Sequence, residues 1–358
     1  MTRILADTYG NPSSVHAEGR GARAAVETAR RQVGEAISAP AECIVFTSGG
    51  TEADGLGIVG LAEIAAQRGL PRVVALPGTE HPAAHGAAAM LFERGWRLCE
   101  LYVDEDGVVD LASLERACAA GVGVVAVAIA NHEVGTLQPL KEIVAAARAC
   151  GALVHADAVQ AVGKVAVDAV ALEVDTLALS AHKFYGPKGV GAVYVRQGLE
   201  LPPLFPGGHQ ERERRPGTEN VCGIVGMGVA AELAAGHSDA ALGALRDRLE
   251  HGLRRIDGVV INAAGAPRVP NTTSVHIAGA RGDTVVAALD LQGFAASTSA
   301  ACTSGTTEPS QVLLAMGRDE RAATECVRFS LGRSNDAEQI DRLVDVLPAI
   351  VDRARKYE

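Results

Sequence analysis

Short apolar runs alternate with longer amphipathic stretches along most of the chain. Between the apolar runs, apolar residues often recur at helical spacing, as in residues 140–150. Strands that alternate with helices indicate a mostly parallel sheet with helices on both faces. We therefore predict an α/β fold with a seven-stranded sheet. The predicted strands are residues 43–47, 72–76, 97–103, 123–129, 152–156, 175–180 and 191–195.

The pattern changes after a polar stretch at residues 207–220. A long Ala- and Leu-rich segment predicts one helix over about residues 221–253. We interpret residues 1–220 as a large domain and residues 221–358 as a small α+β domain. After the long helix, the predicted elements are strand 272–277, helix 283–291, strand 295–299, strand 326–331 and helix 336–356.

Polar residues follow five of the predicted strands, at the edge where parallel α/β sheets bind ligands. Because the carboxyl ends of parallel strands share one edge, these clusters can converge on one crevice. The clusters are Ser48–Ala53, Thr79–His81, Asn131–Gly135, Asp157–Gln160 and His182–Lys183.

Composition narrows the classes of partner. The chain has 358 residues, 48% of them hydrophobic, and a net charge of −10. The absence of a long basic block argues against a nucleic-acid partner, and no apolar run reaches the length of a membrane span. The seven cysteines are an odd number and form no Cys-x-x-Cys pair. This pattern favours reduced thiols in a cytoplasmic protein over a disulfide framework or a metal site.

Lys183 is the most informative residue. It follows an apolar strand and precedes a Gly/Pro loop. A lysine at a strand end can be desolvated and bind an aldehyde cofactor such as pyridoxal 5'-phosphate (PLP) covalently. A surface lysine in a turn is the alternative.

Two further clusters suit a phosphorylated ring. Gly50 and Thr51 lie in a strand–glycine turn–helix pattern that can bind phosphate, although such turns are common. Asp157 can keep a pyridine nitrogen protonated, or it can cap a helix. Gln160 can bond a ring hydroxyl, or it can complete a capping box.

Three histidines differ in what they suggest. His81 can stack on a ring and move protons, or it can be a surface histidine before a proline turn. His182 and Ser180 can bind phosphate, whereas His155 lies inside a strand and is interpreted as a hydrogen-bonded core histidine.

Cys302 and Arg328 are candidates for sulfur and carboxylate chemistry. Cys302 lies in a small polar loop, where a thiol can act as a nucleophile. Arg328 can clamp a substrate carboxylate, or it can form a structural salt bridge.

Nine motifs together resemble the NifS/IscS-type cysteine desulfurases, which are class V aminotransferase-family enzymes of PLP fold type I. The resemblance runs from about residue 8 to the C-terminus. In chain order the motifs are YGNPSSVH, TSGGTEA, TEH, NHEVGT, HADAVQAVGK, SAHKFYGPKGVGAVYVR, RRPGTENV, SAACTSGTTEPSQVLLAMG and VRFSLGR.

The resemblance implies a role for each candidate. Lys183, Cys302 and His81 would be catalytic, and Asn131 and Arg328 would hold the carboxylate of L-cysteine. Thr218 would reach the phosphate of a neighbouring subunit, which implies a homodimer. The implied PLP ligands are Gly50, Thr51, His81, Asn131, Asp157, Gln160, Ser180, His182, Lys183 and Thr218. No metal is implied.

The implied reaction converts L-cysteine to L-alanine and leaves a persulfide on Cys302. The sulfur then passes to an acceptor protein, such as an iron–sulfur cluster scaffold, a tRNA-thiolation relay or a biosynthetic enzyme. A selenocysteine lyase or another class V PLP enzyme is one alternative. A non-catalytic scaffold of a sulfur-transfer assembly is another, supported only by the absence of the family's Asp-x-x-Ala-Thr-Thr strand before Gly10.

Four positions depart from the usual family pattern. The residues here are Gly55, His132, Pro216 and Ala300, where the family usually has Asn, Asn, Ser and Ser. None of the four is an implied PLP ligand, so the predicted cofactor site is unchanged.

Overall fold

The computed structural model describes residues 1–235, 240–299 and 308–356. The chain forms two compact units, each with its own sheet. The first unit comprises Met1–Leu101, Leu111–Ile129 and Pro139–His237. The second comprises Tyr102–Asp110, Ala130–Gln138 and Ser238–Glu358.

The first unit contains a seven-stranded sheet in the order β1-β7-β6-β5-β4-β2-β3. Strand β7 is antiparallel to both of its neighbours, β1 and β6, and the remaining strand pairs are parallel. Burial on both faces explains why most of the strands are continuous apolar runs. The strands are β1 (Ile44–Thr47), β2 (Val73–Pro77), β3 (Arg97–Leu101), β4 (Val124–Ala128), β5 (Leu153–Asp157), β6 (Thr176–Ser180) and β7 (Gly191–Val195).

Helices surround this sheet. They are α1 (Thr2–Asp7), α2 (Ala17–Ala36), α3 (Gly50–Gln67), α4 (Pro82–Glu93), α5 (Leu111–Ala120), α6 (Leu140–Ala149) and α7 (Val221–Ala235). Two short 3-10 helices span Ala41–Cys43 and Ala181–Phe184. The segment Gln210–Glu213 forms a tight turn in which the backbone angles of Glu211 and Arg212 are not those of a right-handed helix. Helix α3 is mostly buried and lies very close to β5, since a Cβ added at Gly57 would come within 2.4 Å of His155 Nδ1.

The second unit contains a four-stranded antiparallel sheet in the order β10-β11-β9-β8. The amphipathic helix α12 packs its apolar side on this sheet, where Leu347 and Val351 join Val275 and Val327 in one core. The elements are α8 (Ala240–Leu253), β8 (Val259–Ile261), β9 (Thr272–Ile277), α9 (Gly282–Asp290), β10 (Ser297–Thr298), α10 (Gln311–Ala315), α11 (Glu320–Thr324), β11 (Cys326–Ser330) and α12 (Ala337–Ala354).

The predicted fold class is confirmed, and each predicted strand corresponds to one in the structure. The single helix predicted over residues 221–253 is wrong, because α7 and α8 are separate helices. The sequence Gly236-His-Ser-Asp239 carries a helix-breaking glycine and two residue types that favour a helix start, and this signal was missed. Strand β8 and the short helices α1, α10 and α11 were also missed.

The boundary between the units differs from the predicted one at residue 221. Helix α7 belongs to the first unit because it packs tightly on α2, where a Cβ added at Gly228 would lie 2.6 Å from the Ala29 Cα. Residues 102–110 and 130–138 belong to the second unit.

Within the described ranges, no single helix is long and apolar enough to cross a bilayer. The bent pair α7 and α8, taken together, has the length and the apolar composition of a membrane span. The same ranges contain six cysteines, all with free thiols. They contain no group of three or more His, Cys, Asp or Glu residues arranged to hold a metal ion.

Candidate active site

Four of the five predicted polar clusters lie at one edge of the seven-stranded sheet. Strands β1 to β6 all point in the same direction, because β1 and β6 are both antiparallel to β7 and the other pairs are parallel. The residues after β1, β2, β5 and β6 therefore share an edge. The fifth cluster, which begins at Asn131, belongs to the second unit.

Lys183 lies directly after β6, in the 3-10 helix Ala181–Phe184, and its side chain is exposed. The helix ends at Tyr185, which has a left-handed backbone with φ of 68°. The Lys183 charge lowers the pKa of Asp157, His81 and His182, although burial is the largest influence on each group. The charge of the lysine therefore acts on groups at the ends of three strands: Asp157 at the end of β5, His81 after β2 and His182 after β6.

Asp157 is the last residue of β5, and its side chain is buried. Its Oδ1 accepts a hydrogen bond of 2.7 Å from the Val159 amide. Burial, followed by the charge of Asp54, raises the pKa of Asp157 from 3.8 to about 8. A cation beside this carboxylate would stabilise its charged form, and a protonated pyridine nitrogen is such a cation.

A buried polar network lies behind Asp157. The two ring nitrogens of His155 contact Thr176 Oγ1 at 2.9 Å and Asp54 Oδ1 at 3.1 Å. Burial lowers the pKa of His155 to about 4 and raises that of Asp54 to about 8. The interpretation of His155 as a hydrogen-bonded core histidine is confirmed. Asp54 was missed, because an Asp inside a helical pattern gives no sequence signal of its own.

Glu80 is a further buried carboxyl that sequence reasoning missed. Its Oε1 accepts the Ala128 amide at 2.9 Å, and Ala128 pairs with Asp157 across β4 and β5. Burial raises the pKa of Glu80 well above its usual range, and the charges of Asp157 and Asp54 raise it further. Burial therefore favours the protonated form of Glu80.

The start of α3 forms a cradle of small residues. A Cβ added at Gly50 would lie 3.0 Å from Val159 Cγ2 and 3.4 Å from Ser180 Cβ. The helix start therefore lies against the ends of both β5 and β6. Ser180 Oγ contacts His182 Nδ1 at 3.0 Å, and Thr51 is exposed in the first turn of α3. Helix-start amides beside hydroxyl and imidazole groups suit a phosphate.

His81 caps the N-terminus of α4 through its Nδ1, which accepts the Ala83 amide at 3.1 Å. Burial and then the charge of Lys183 lower the pKa of His81, so the neutral ring with a proton on Nε2 is favoured. Gln160 accepts a hydrogen bond from Lys164 at its side-chain oxygen. The amide nitrogen of Gln160 is then the end that can donate to a ring oxygen.

Thr218 is exposed in the loop at residues 207–220 of the first unit. It follows Gly217, which has a φ of 107°. The structure therefore places this hydroxyl at the surface of the unit.

In the second unit, Asn131 and Arg328 are joined through the segment 131–133. Asn131 is buried, and its Oδ1 accepts the amides of Glu133 and Val134 at 2.8 and 2.9 Å. Arg328 Nη1 donates to the His132 carbonyl at 2.9 Å. The Nε of Arg328 is buried and has no hydrogen-bond partner among the residues that the structure describes. A donor in that state suits an anionic ligand such as a carboxylate.

Glu133 was also missed by sequence reasoning. Its side chain is buried, its Oε2 accepts the Ser310 hydroxyl, and burial raises its pKa to about 7. Cys302, the predicted sulfur nucleophile, lies outside the described residues.

Comparisons with known proteins show the family to which the chain belongs. Residues 1–343 match the family model of class-V aminotransferases. The chain belongs to the class-V aminotransferase family. It is 44% identical to a cysteine desulfurase of Cereibacter sphaeroides, over 99% of this chain and 92% of the relative. It is 42% identical to a cysteine desulfurase of Gluconacetobacter diazotrophicus, over 99% of this chain and 90% of the relative.

A solved structure of a NifS-like protein has a TM-score of 0.90 and 35% identity, and it covers 98% of this chain and 94% of its own. The predicted resemblance to the cysteine desulfurases is thus confirmed. The chain is an enzyme of the cysteine desulfurase type, in a family that depends on PLP.

The residues of the first unit fit PLP. The buried Asp157 carboxylate suits the pyridine nitrogen, and the Lys183 amine suits the aldehyde carbon. The cradle at Gly50, with Ser180 beside it, suits the phosphate.

Proposed function

We propose that this enzyme converts L-cysteine to L-alanine and transfers the sulfur to Cys302 as a persulfide. One observation carries the assignment of the cofactor site. Lys183 follows β6, Asp157 ends the paired strand β5, and His81 caps α4 after β2, so an amine, a buried carboxyl group and an imidazole lie along one sheet edge. That combination can hold a pyridine aldehyde and move a proton beside it.

PLP, when bound, supplies an aldehyde for the substrate amine and a ring that accepts electrons from the substrate carbon. Asp157 would hold the ring nitrogen in its protonated form, and Gln160 would donate to the ring oxygen. Gly50, Thr51, Ser180 and His182 would bind the phosphate, and His81 would lie beside the ring.

Lys183, the lysine that would hold the aldehyde, would also take the α-proton of L-cysteine. Asn131 and Arg328 bind the substrate carboxylate through the side-chain amide and the guanidinium. The neutral His81 can carry a proton to or from the substrate, since its pKa is lowered by burial.

The sulfur step uses the Cys302 thiolate as nucleophile. It attacks the sulfur of L-cysteine, and an S–S bond forms as the Cβ–S bond breaks. The electron pair of the broken bond stays with the carbon skeleton, which takes up protons and leaves as L-alanine. The persulfide sulfur then passes to an acceptor protein.

We further propose a homodimer in the cytoplasm, in which Thr218 of each copy serves the phosphate site of the other. The exposed position of Thr218 supports this arrangement. Free thiols at the six described cysteines agree with a reducing compartment.

The test measures alanine and sulfide formed from L-cysteine with PLP present, for the wild type and for Cys302→Ala. The proposal expects equal amounts of alanine and sulfide in the presence of a reductant, and loss of both in the variant. Sulfide release that persists in Cys302→Ala would instead favour a lyase route that needs no persulfide. A wild type that binds no PLP and forms no alanine would favour a non-catalytic scaffold.

A further inference from the structure

Three consecutive residues of the 207–220 loop have a left-handed backbone. The φ angles are 46° at Glu211, 57° at Arg212 and 66° at Glu213. None of the three is glycine, so each adopts a conformation that its Cβ disfavours. Such a run persists only where the surrounding structure holds it, and backbone outliers of this kind cluster at functional sites.

A buried ion pair holds the first of these residues. The Glu211 carboxylate accepts Arg30 Nη1 at 2.7 Å and Arg30 Nη2 at 2.8 Å, and it accepts the Phe46 amide at 2.8 Å. The side chains of Arg30 and Glu211 are only 5% and 2% exposed. Burial alone would lower the pKa of Arg30, but the hydrogen bonds and charges of Glu211 and then of Glu27 outweigh it and raise that pKa.

The same ion pair satisfies backbone hydrogen-bonding groups on the free edge of the sheet. Strand β1 is an edge strand, and its Phe46 amide and Ile44 carbonyl are satisfied by Glu211 and by Arg30 Nη1. The guanidinium also lies 4.8 Å from the centre of the Phe46 ring. The loop is therefore fastened to β1 by contacts that water does not reach.

A second anchor joins the loop to the turn between β1 and α3. Arg215 Nε donates to Glu52 Oε1 at 2.9 Å, and Glu52 Oε2 accepts the Ser48 amide at 2.7 Å. These hydrogen bonds outweigh burial and lower the pKa of Glu52. Glu52 lies in the first turn of α3, directly after Thr51.

Thr218 follows this second anchor closely. Pro216, between Arg215 and Gly217, is buried against Gly207, where an added Cβ would lie 2.4 Å from the Pro216 Cβ. Gly217 donates its amide to Gln210 Oε1 at 2.9 Å. The exposed Thr218 therefore lies three residues after Arg215, which is bonded to Glu52, and directly after Gly217, which is bonded to Gln210.

We propose that Glu211 and Arg215 are positioning residues, which clamp the 207–220 loop to β1 and to the start of α3 and so hold Thr218 ready for the PLP phosphate of a second copy. This inference rests on the proposed function and assigns a purpose to the left-handed run. The loop is tied to β1 and to the start of α3, and the proposed phosphate cradle also lies at the start of α3. The loop is therefore fixed relative to the cradle of its own copy, although its Thr218 serves the cradle of the second copy.

The first test measures the dissociation constant of PLP by absorbance titration. Glu211→Gln keeps the shape of the side chain but removes its charge, and we expect weaker PLP binding by about tenfold or more. Glu213→Gln is the matched control, because Glu213 belongs to the same left-handed run and its carboxylate pairs only with the exposed His209 among the described contacts. Equal PLP affinity in the two variants would overturn the inference.

The second test asks whether the loop acts on the other copy. Glu211→Gln protein is unfolded and refolded together with Lys183→Ala protein in equal amounts. Each mixed dimer then has one site that combines an intact Lys183 with an intact loop from the partner copy. We expect recovery of about a quarter of the wild-type rate. A mixture no more active than Glu211→Gln alone would show that the loop does not serve the other copy.

Loss of a buried charge partner can prevent folding, so a milder pair of variants accompanies the first. Arg215→Ala removes only the partly exposed anchor, and Arg215→Lys keeps its charge. We expect weaker PLP binding in Arg215→Ala and recovery of most of it in Arg215→Lys. PLP affinity that is unchanged in Arg215→Ala would contradict the clamp.

The outcome for the wild type separates this inference from the proposed function. A wild type that binds no PLP contradicts the proposed function itself. A wild type that binds PLP and forms alanine, together with loop variants that behave like Glu213→Gln, contradicts only the clamp.

Discussion

At the scale of single residues, Asp54 gives the clearest pH prediction. Burial raises its pKa from 3.8 to about 8. The unfolded chain releases this proton near the lower value, whereas the folded chain keeps it until the higher one, so the folded state binds more protons between them. The stability that Asp54 contributes is therefore fully present below a pH of 3.8 and is lost progressively as the pH rises from there to about 8.

Asp54→Asn should weaken this pH dependence in the PLP-free protein, because Asn resembles the protonated acid. The expected change is up to about 1.4 kcal/mol per pH unit in the slope of unfolding free energy. Urea denaturation at several pH values between 5 and 8 measures it. Asp345→Asn, on the exposed side of α12, is the control. Identical slopes for wild type and Asp54→Asn would show that Asp54 is not a buried acid.

For Arg328 we predict an effect on substrate binding, measured as KM. If its guanidinium binds the substrate carboxylate, Arg328→Ala should raise KM for L-cysteine by about 10- to 100-fold. Arg328→Lys should recover little, because an ammonium lacks the forked donors. Steady-state kinetics with cysteamine, which lacks the carboxylate, provides the control. A similar loss with cysteamine would mean that Arg328 supports the structure and does not bind the carboxylate.

The sequence was sufficient to place Lys183 and Asp157 at one edge of the sheet, because each stands at the end of a predicted strand. It was not sufficient for Asp54, Glu80 or Glu211. Each of these acids acts through partners far away in the chain, such as Arg30 for Glu211. Only the packing of helices and loops on the sheet brings such pairs together.

At the scale of secondary-structure elements, two helical glycines should respond in opposite ways to alanine. A Cβ at Gly57 of α3 would lie 2.4 Å from His155 Nδ1, whereas a Cβ at Gly86 of α4 would meet nothing within 4 Å. Gly57→Ala should cost about 1–3 kcal/mol through overpacking, and Gly86→Ala should add about 0.5–1 kcal/mol through helix propensity. Urea denaturation measures both changes. A neutral Gly57→Ala would mean that α3 can move away from β5.

Strands were predicted better than helix boundaries, for a physical reason. A strand buried on both faces has a continuous apolar sequence with polar residues at its ends, as in residues 191–195, which match β7 at both ends. Helix α7 is apolar on nearly all sides, so its sequence carries no periodic signal that would mark its end before α8 begins.

At the scale of the whole molecule, the second unit includes two segments from the first half of the chain. A division of the sequence at one boundary cannot predict such a unit. Residues 102–110 and 130–138 belong to it, although they lie between elements of the large sheet. Hydrogen bonds explain this membership, since Thr136 Oγ1 donates to the Asp106 carbonyl and Leu137 donates its amide to the Pro267 carbonyl. These contacts join parts of the chain that are distant in sequence.

The central claim for the whole enzyme is that Lys183 holds the aldehyde carbon of PLP. Borohydride reduction of the PLP-loaded protein, followed by peptide mass spectrometry, tests it directly, because reduction fixes the pyridoxyl group to the lysine that binds it. The account predicts the added mass on the peptide that contains Lys183, and no labelled peptide from Lys183→Ala. A pyridoxyl group found instead on another lysine, such as Lys188 or Lys164, would contradict the account.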